Sequence, residues 1–119
     1  MTLSCFPEKN RPIKIYNSGK LFNNVVDTIE IYKFINHIIN IKNIKSRSVN
    51  FSAKKPIKIK KMIYFLKKKI MSKSKISFVK KKSNHFIISS SNVAQLYKFN
   101  IADTHTIINR FLKKNKNIL

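Results

Sequence analysis

Acidic side chains are nearly missing from this sequence: four Asp and Glu stand against 26 Lys and Arg, a formal net charge of +22. No carboxylate occurs between Glu30 and Asp103. A chain charged at that density repels itself unless a polyanion or salt neutralises it, so a phosphate-rich partner is expected, nucleic acid ahead of anionic lipid. A merely soluble basic surface would keep acids interspersed among the bases. Cysteine is limited to Cys5, which excludes a disulfide framework and a cysteine-based metal site and is compatible with a reducing compartment. Glycine is limited to Gly19, so no Gly-rich phosphate loop can form, and positive-φ turns should fall to Asn. No apolar run approaches the roughly 18 residues of a transmembrane span. The opening MTLSCFPEKN holds Pro7 and Glu8 and lacks the Arg- and Ser-rich look of an import peptide.

What is present is enough for a folded centre. At 119 residues and 43% hydrophobic, the chain reads as one domain with one modest core. Residues 1–11 read as a loose tail, and both 12–16 and 21–26 could be a first strand. Asp27 stands three before Glu30, a capping-box-like spacing. Ile31, Phe34, Ile35, Ile38, Ile41 and Ile44 then recur at three- and four-residue steps, predicting an amphipathic helix over about 28–44. Val49–Phe51, Ile57, Ile59, Ile63 and Phe65 follow a two-residue step with one slip near Lys61, which predicts a strand with an irregularity. Phe78, Phe86 and Ile88 share one side of a returning strand, so Phe65, Phe78, Phe86 and Ile88 are expected in the core. Ser89–Ser91 and Asn92 are turn and cap chemistry, Val93, Leu96 and Tyr97 open a short second helix, and His105–Leu112 reads as a last strand. The order β-α-β-β-α-β predicts an α+β fold, a ferredoxin-like split β-α-β sandwich, with a long basic hairpin over about 54–82 between its second and third strands. The domain spans 12–112, and 113–119 is a basic tail.

Two blocks in that order resemble the small-subunit ribosomal protein S-ten family. The first runs without a gap from about Val49 to Ile88, with Pro56 for the family's proline stretch, MIYF (62–65) for a strand and SKSKISF (72–78) for its basic loop. The second, NVAQLYKFNIADTHTIINRF (92–111), looks like the family's second helix and last strand, and Asp27 falls on its aspartate at the start of the first helix. The resemblance covers roughly residues 20–112. There are departures. The proline run survives only as Pro56, the Ser-Pro-His at the hairpin start is Lys67-Lys68-Lys69, the connection before the second helix is shorter, and His85 is displaced. The resemblance implies a structural, non-enzymatic component of the small-subunit head that binds ribosomal RNA and neighbouring ribosomal proteins. The AT-rich residue bias suggests an organelle, a mitochondrion first and a plastid second.

The lysines carry the chemistry. Lys54, Lys55, Lys58, Lys60 and Lys61 on one arm, Lys67, Lys68, Lys69, Lys73 and Lys75 at the tip, and Lys80, Lys81 and Lys82 on the return arm are the expected RNA-binding set. Lysine in place of arginine favours positioning on phosphate over bidentate base reading, with affinity falling steeply as salt rises. Ile70, Met71 and Ile76, between them, are expected to meet a protein neighbour. Nothing supports catalysis or a cofactor: Asp27 and Glu30 suit helix capping, Asp103 sits alone in a turn, and His37, His85 and His105 lack metal-ligand spacing. Two rivals remain. One is a different basic nucleic-acid-binding protein. The other is a membrane-surface polypeptide with 57–82 as a basic amphipathic helix, for which no membrane partner is expected if that segment is a hairpin.

Overall fold

Both candidate first strands form, and they join different sheets. The computed structural model describes residues 11–116, so most of the expected N-terminal tail, and the end of the C-terminal one, lie outside the described residues. β1 (Ile13–Tyr16) pairs in parallel with β4 (Ile76–Val79), while β2 (Leu21–Phe22) pairs antiparallel with β3 (Ile57–Lys58). Four helices accompany these two small sheets: α1 (Thr28–Ile39), α2 (Ile59–Lys69), α3 (Ser91–Tyr97) and α4 (Thr104–Lys114). The class is α+β.

α1 starts where the acid spacing places it. Asp27 is the N-cap in extended conformation, and its Oδ1 accepts the Glu30 N–H at 2.8 Å, a contact worth about 1 kcal/mol. The helix ends at Ile39, short of the expected residue 44. Its inward face is Phe34 and Ile38, whereas Ile31, Ile35 and Ile39 lie exposed along the flank of that face.

Two expected strands are helices, and with them the basic hairpin gives way. Residues 59–69 coil because Ile59, Met62, Ile63, Leu66 and Ile70 recur at helical steps, and all five are half-buried. Pro56 raises no objection, since it lies upstream of the helix and ahead of β3. The two-residue reading of Ile57, Ile59, Ile63 and Phe65 shared residues with this stripe, and its slip near Lys61 was the helical period showing through. Likewise 105–112 is helical: Thr104, Ile107, Ile108 and Leu112 are the buried face of α4. The first two residues of the expected C-terminal tail, Lys113 and Lys114, close that helix. Among the described residues the ferredoxin-like order is therefore replaced by β-β-α-β-α-β-α-α.

The core lies where α3 and α4 meet the 51–54 segment and α1. Val93, Ile101, Ile107 and Ala53 are almost fully buried, each large aliphatic among them adding about 1.5–3 kcal/mol of burial free energy. Beside them Phe34, Phe51 and Phe99 pack within 5.1–6.3 Å of one another, and Tyr97 meets Phe34 edge-on at 5.6 Å. Buried Asn23 holds three distant segments together. Its Nδ2 donates to the carbonyls of Ala53 (3.0 Å) and Ile88 (2.7 Å), and its Oδ1 accepts the Ile88 N–H at 3.0 Å. Phe65 and Ile88 are half-buried, but Phe78 and Phe86 are not core residues: Phe86 is 69% exposed and Phe78 is 43% exposed. Residues 80–90 carry no regular structure, so no strand turns Phe86 inward, while Phe78 stands in β4 on a sheet of only two strands.

Backbone strain falls only partly to asparagine. Asn17 and Asn43 take positive φ as expected, but so do Lys55, Met71 and Lys98, and Gly19 does not. Lys98 closes α3 in the left-handed conformation usually given to glycine.

Candidate nucleic-acid interface

The site begins with the disposal of the acids. Glu30 is buried, its Oε2 accepting the Ala102 N–H at 3.0 Å and its Oε1 lying 2.6 Å from Arg110 Nη1. The same guanidinium nitrogen reaches Asp27 Oδ2 at 3.4 Å. The hydrogen bond that Arg110 donates to Glu30 raises its pKa above the ordinary value, with partial burial opposing and Asp27 adding to the rise. Arg110 thus stays cationic and neutralised. Asp103, N-cap of α4, bridges to Lys54 through the backbone and lies 3.0 Å from Lys55 Nζ. All three acids among the described residues are engaged by bases of the chain itself, so they offer little screening to the lysines elsewhere.

The lysines of the expected set fall into five groups. Lys54 and Lys55 are turned to internal partners: Lys54 Nζ donates to Asn100 Oδ1 at 2.5 Å, and Lys55 pairs with Asp103. Lys58, Lys60 and Lys61 surround the start of α2, exposed. Lys67, Lys68 and Lys69 make up its last turn, where they complement the negative end of the helix dipole. Lys73 and Lys75, both exposed on either side of buried Ser74, follow in the connection to β4, and Lys80, Lys81 and Lys82 in the exposed segment after it.

The structure gathers some of these into two clefts. The first, about 740 Å³, lies between the β1–β2 turn and the chain leaving β4, lined by Asn17, Lys20, Phe78, Lys80, Lys81 and Lys82 among others. Lys60 Nζ stands 5.1 Å above the Phe78 ring, bringing the start of α2 to the same place. The second, about 390 Å³, has Lys69, Ile70 and Met71 on one side and Leu112, Lys113 and Lys116 on the other. Lys20, Lys113 and Lys116 were not in the expected set. Each sits outside the lysine-dense stretch, and only tertiary structure joins them to it.

Of the three expected protein-contact residues, Met71 is 84% exposed, Ile70 is half-buried at the end of α2, and Ile76 is half-buried in β4. Two of the three histidines contact the chain itself. His37 Nε2 is 2.5 Å from the Tyr97 carbonyl, the His105 ring lies 4.4 Å from Phe65, and His85 is exposed. Among the described residues no group of three or more His, Cys, Asp or Glu could hold a metal ion. No helix among them is long and apolar enough to cross a membrane. No protein-family model matches the chain, and no curated protein or solved structure matches it.

Proposed function

We propose that this chain is a non-enzymatic, RNA-binding structural component of a small ribosomal subunit, in an organelle and most simply a mitochondrion. The observation that carries the RNA-binding part is the internal pairing of Asp27, Glu30 and Asp103, so that among the described residues no acid pairs with the exposed lysines of α2 or of residues 75–82. Such a surface calls for phosphate, and counterion release would drive the association. Folded RNA is read through shape, phosphate and 2′-OH, for which lysine suffices. The ribosomal part rests on the S-ten resemblance of residues 49–88 and 92–111. The ferredoxin-like sandwich with its long hairpin, which that resemblance implies, would require strands at 59–65 and 105–112 and is not part of the proposal.

A neighbouring ribosomal protein has a surface to meet. Ile31, Ile35 and Ile39 form an exposed stripe at four-residue steps along α1. A second copy is disfavoured, because each chain carries +22. A partner chain with an apolar face rimmed by acids fits both the stripe and the charge. The membrane-surface reading is weaker, since the apolar stripe of α2 is half-buried against the chain's own residues and not free to enter a bilayer.

Sedimentation tests the proposal. In a moderate-salt gradient of organelle extract, the protein should travel with the small subunit and leave it in high salt. A protein that stays at the top of the moderate-salt gradient, or follows DNA, overturns it.

A further inference from the structure

The first cleft holds more than charge. Phe78 is 43% exposed although its register partner on β1, Ile15, is buried on the same sheet face. One other ring is left open nearby, Tyr64 of α2, 6.3 Å from Phe78. A cation stands over this surface, Lys60 Nζ above the Phe78 ring, while Lys81 Nζ is drawn to Tyr16, 5.9 Å from its ring. The walls are tied together. Asn17 accepts the Lys81 N–H through Oδ1 at 2.9 Å and donates from Nδ2 to Ser83 Oγ at 2.7 Å. On the opposite wall, the Ser18 and Lys20 carbonyls accept the first two N–H groups of α2, from Lys60 and Ile59, at 2.9 Å. At Gly19 a β-carbon would meet nothing within 4 Å, so the rim is open there.

We propose that this cleft binds an unpaired nucleotide of RNA, its base stacked on Phe78 and its phosphates held by Lys20, Lys80 and Lys82. The inference rests on the RNA-binding reading above and names a site for it. Three chemical arguments choose this ligand. An exposed aromatic face amid cations, with no carboxylate among the described lining residues, matches a flat base joined to phosphate, the combination used by single-strand binders. A duplex buries its base faces in its own stack and would use only the lysines, leaving Phe78 idle. A lipid headgroup would bring phosphate but no ring. The volume, about 740 Å³, is in the range of pockets that enclose a small organic ligand.

The test uses the full chain, a single-stranded oligouridylate and an RNA duplex with equal phosphate number, with binding read by fluorescence polarisation at several salt concentrations. Phe78→Leu keeps an apolar side chain and removes the ring. It should weaken single-strand binding roughly tenfold, leave duplex binding and the salt slope unchanged, and be rescued by Phe78→Tyr. Unchanged single-strand binding overturns the stacking site but leaves the RNA-binding reading intact. Equal loss for both RNAs also overturns it, because the ring then acts only through the fold. If wild-type protein binds neither RNA at moderate salt, both readings fall. Anionic vesicles form a further arm, and a Phe78→Leu loss seen there but not with RNA overturns the proposal in favour of a membrane. A 4-thiouridine oligomer cross-linked to the wild-type chain gives a check independent of the variant's folding: cross-links should map to the peptide containing Phe78, and their absence from it counts against the site.

Discussion

Arg110, near the end of the chain's last helix, closes on Glu30 in its first, Nη1 to Oε1 at 2.6 Å across eighty residues of sequence. The contact joins α4 to α1 and anchors the cap of α1 through Asp27 at the same time. Because Glu30 is buried, removing the guanidinium leaves its carboxylate, among the described residues, with the Ala102 N–H and a distant Lys33.

Arg110→Met should therefore cost about 3 kcal/mol in urea unfolding, and Arg110→Lys less, since an ammonium keeps the charge without the fork. The guanidinium pKa is raised in the folded state, so its contribution is complete below the ordinary arginine value and is lost only as pH rises through the raised one. Arg110's share of the stability should stay flat across neutral pH.

Asn23 is the second structural test. Asn23→Ala orphans the Ala53 and Ile88 carbonyls and the Ile88 N–H, and the loss should be about 2–3 kcal/mol. Asn23→Asp preserves shape but sets a carboxylate oxygen against two carbonyls. At neutral pH it should unfold at lower urea than Asn23→Ala.

Solution NMR separates the observed α2 from a hairpin arm. Cα shifts of residues 59–69 should be helical in the full chain, and strand-like shifts there would contradict the fold. This segment also shows where the sequence was legible and where it was not. α1 declared itself because its cap is a side chain, Asp27, at a recognisable distance from Glu30. α2 has no side-chain cap. Its first N–H groups are taken by backbone carbonyls of Ser18 and Lys20, which leave no trace in residue identity. With Ile57, Ile59, Ile63 and Phe65 fitting a two-residue step, the strand pattern won. The lysine cluster was legible as composition, but its division was not. Nothing local marks Lys54 and Lys55 as internally paired, or brings Lys20 to Lys80–Lys82, because those neighbours lie some forty to sixty residues away. Phe78 looked like core since alternation reveals a face but not whether anything covers it.

Lysines at the end of α2 should act on RNA through charge alone. Replacing Lys67, Lys68 and Lys69 one at a time with Gln should weaken binding to any RNA and lower the salt slope, by up to about one for each phosphate no longer neutralised. A change in sequence preference would contradict this.

At Lys98 the backbone holds φ at 52° in a non-glycine residue. Lys98→Gly should raise stability by about 1 kcal/mol, visible as a higher thermal midpoint. Gly19→Ala, with φ outside the positive region and open space around it, should be tolerated with a small gain.

The pairing of β1 with β4 bears on how the molecule is made. Ile13 meets Ile76, Leu21 meets Lys58, and Lys54 meets Asp103. An N-terminal segment so connected has no partner strand while it is being synthesised, and it waits until residues 57–58 and then 76–79 have emerged. Asp103 and Arg110 arrive near the end, so the α1 acids meet their partner only then. A nascent chain of this kind gains from an early polyanion that shields it until the late segments close the fold.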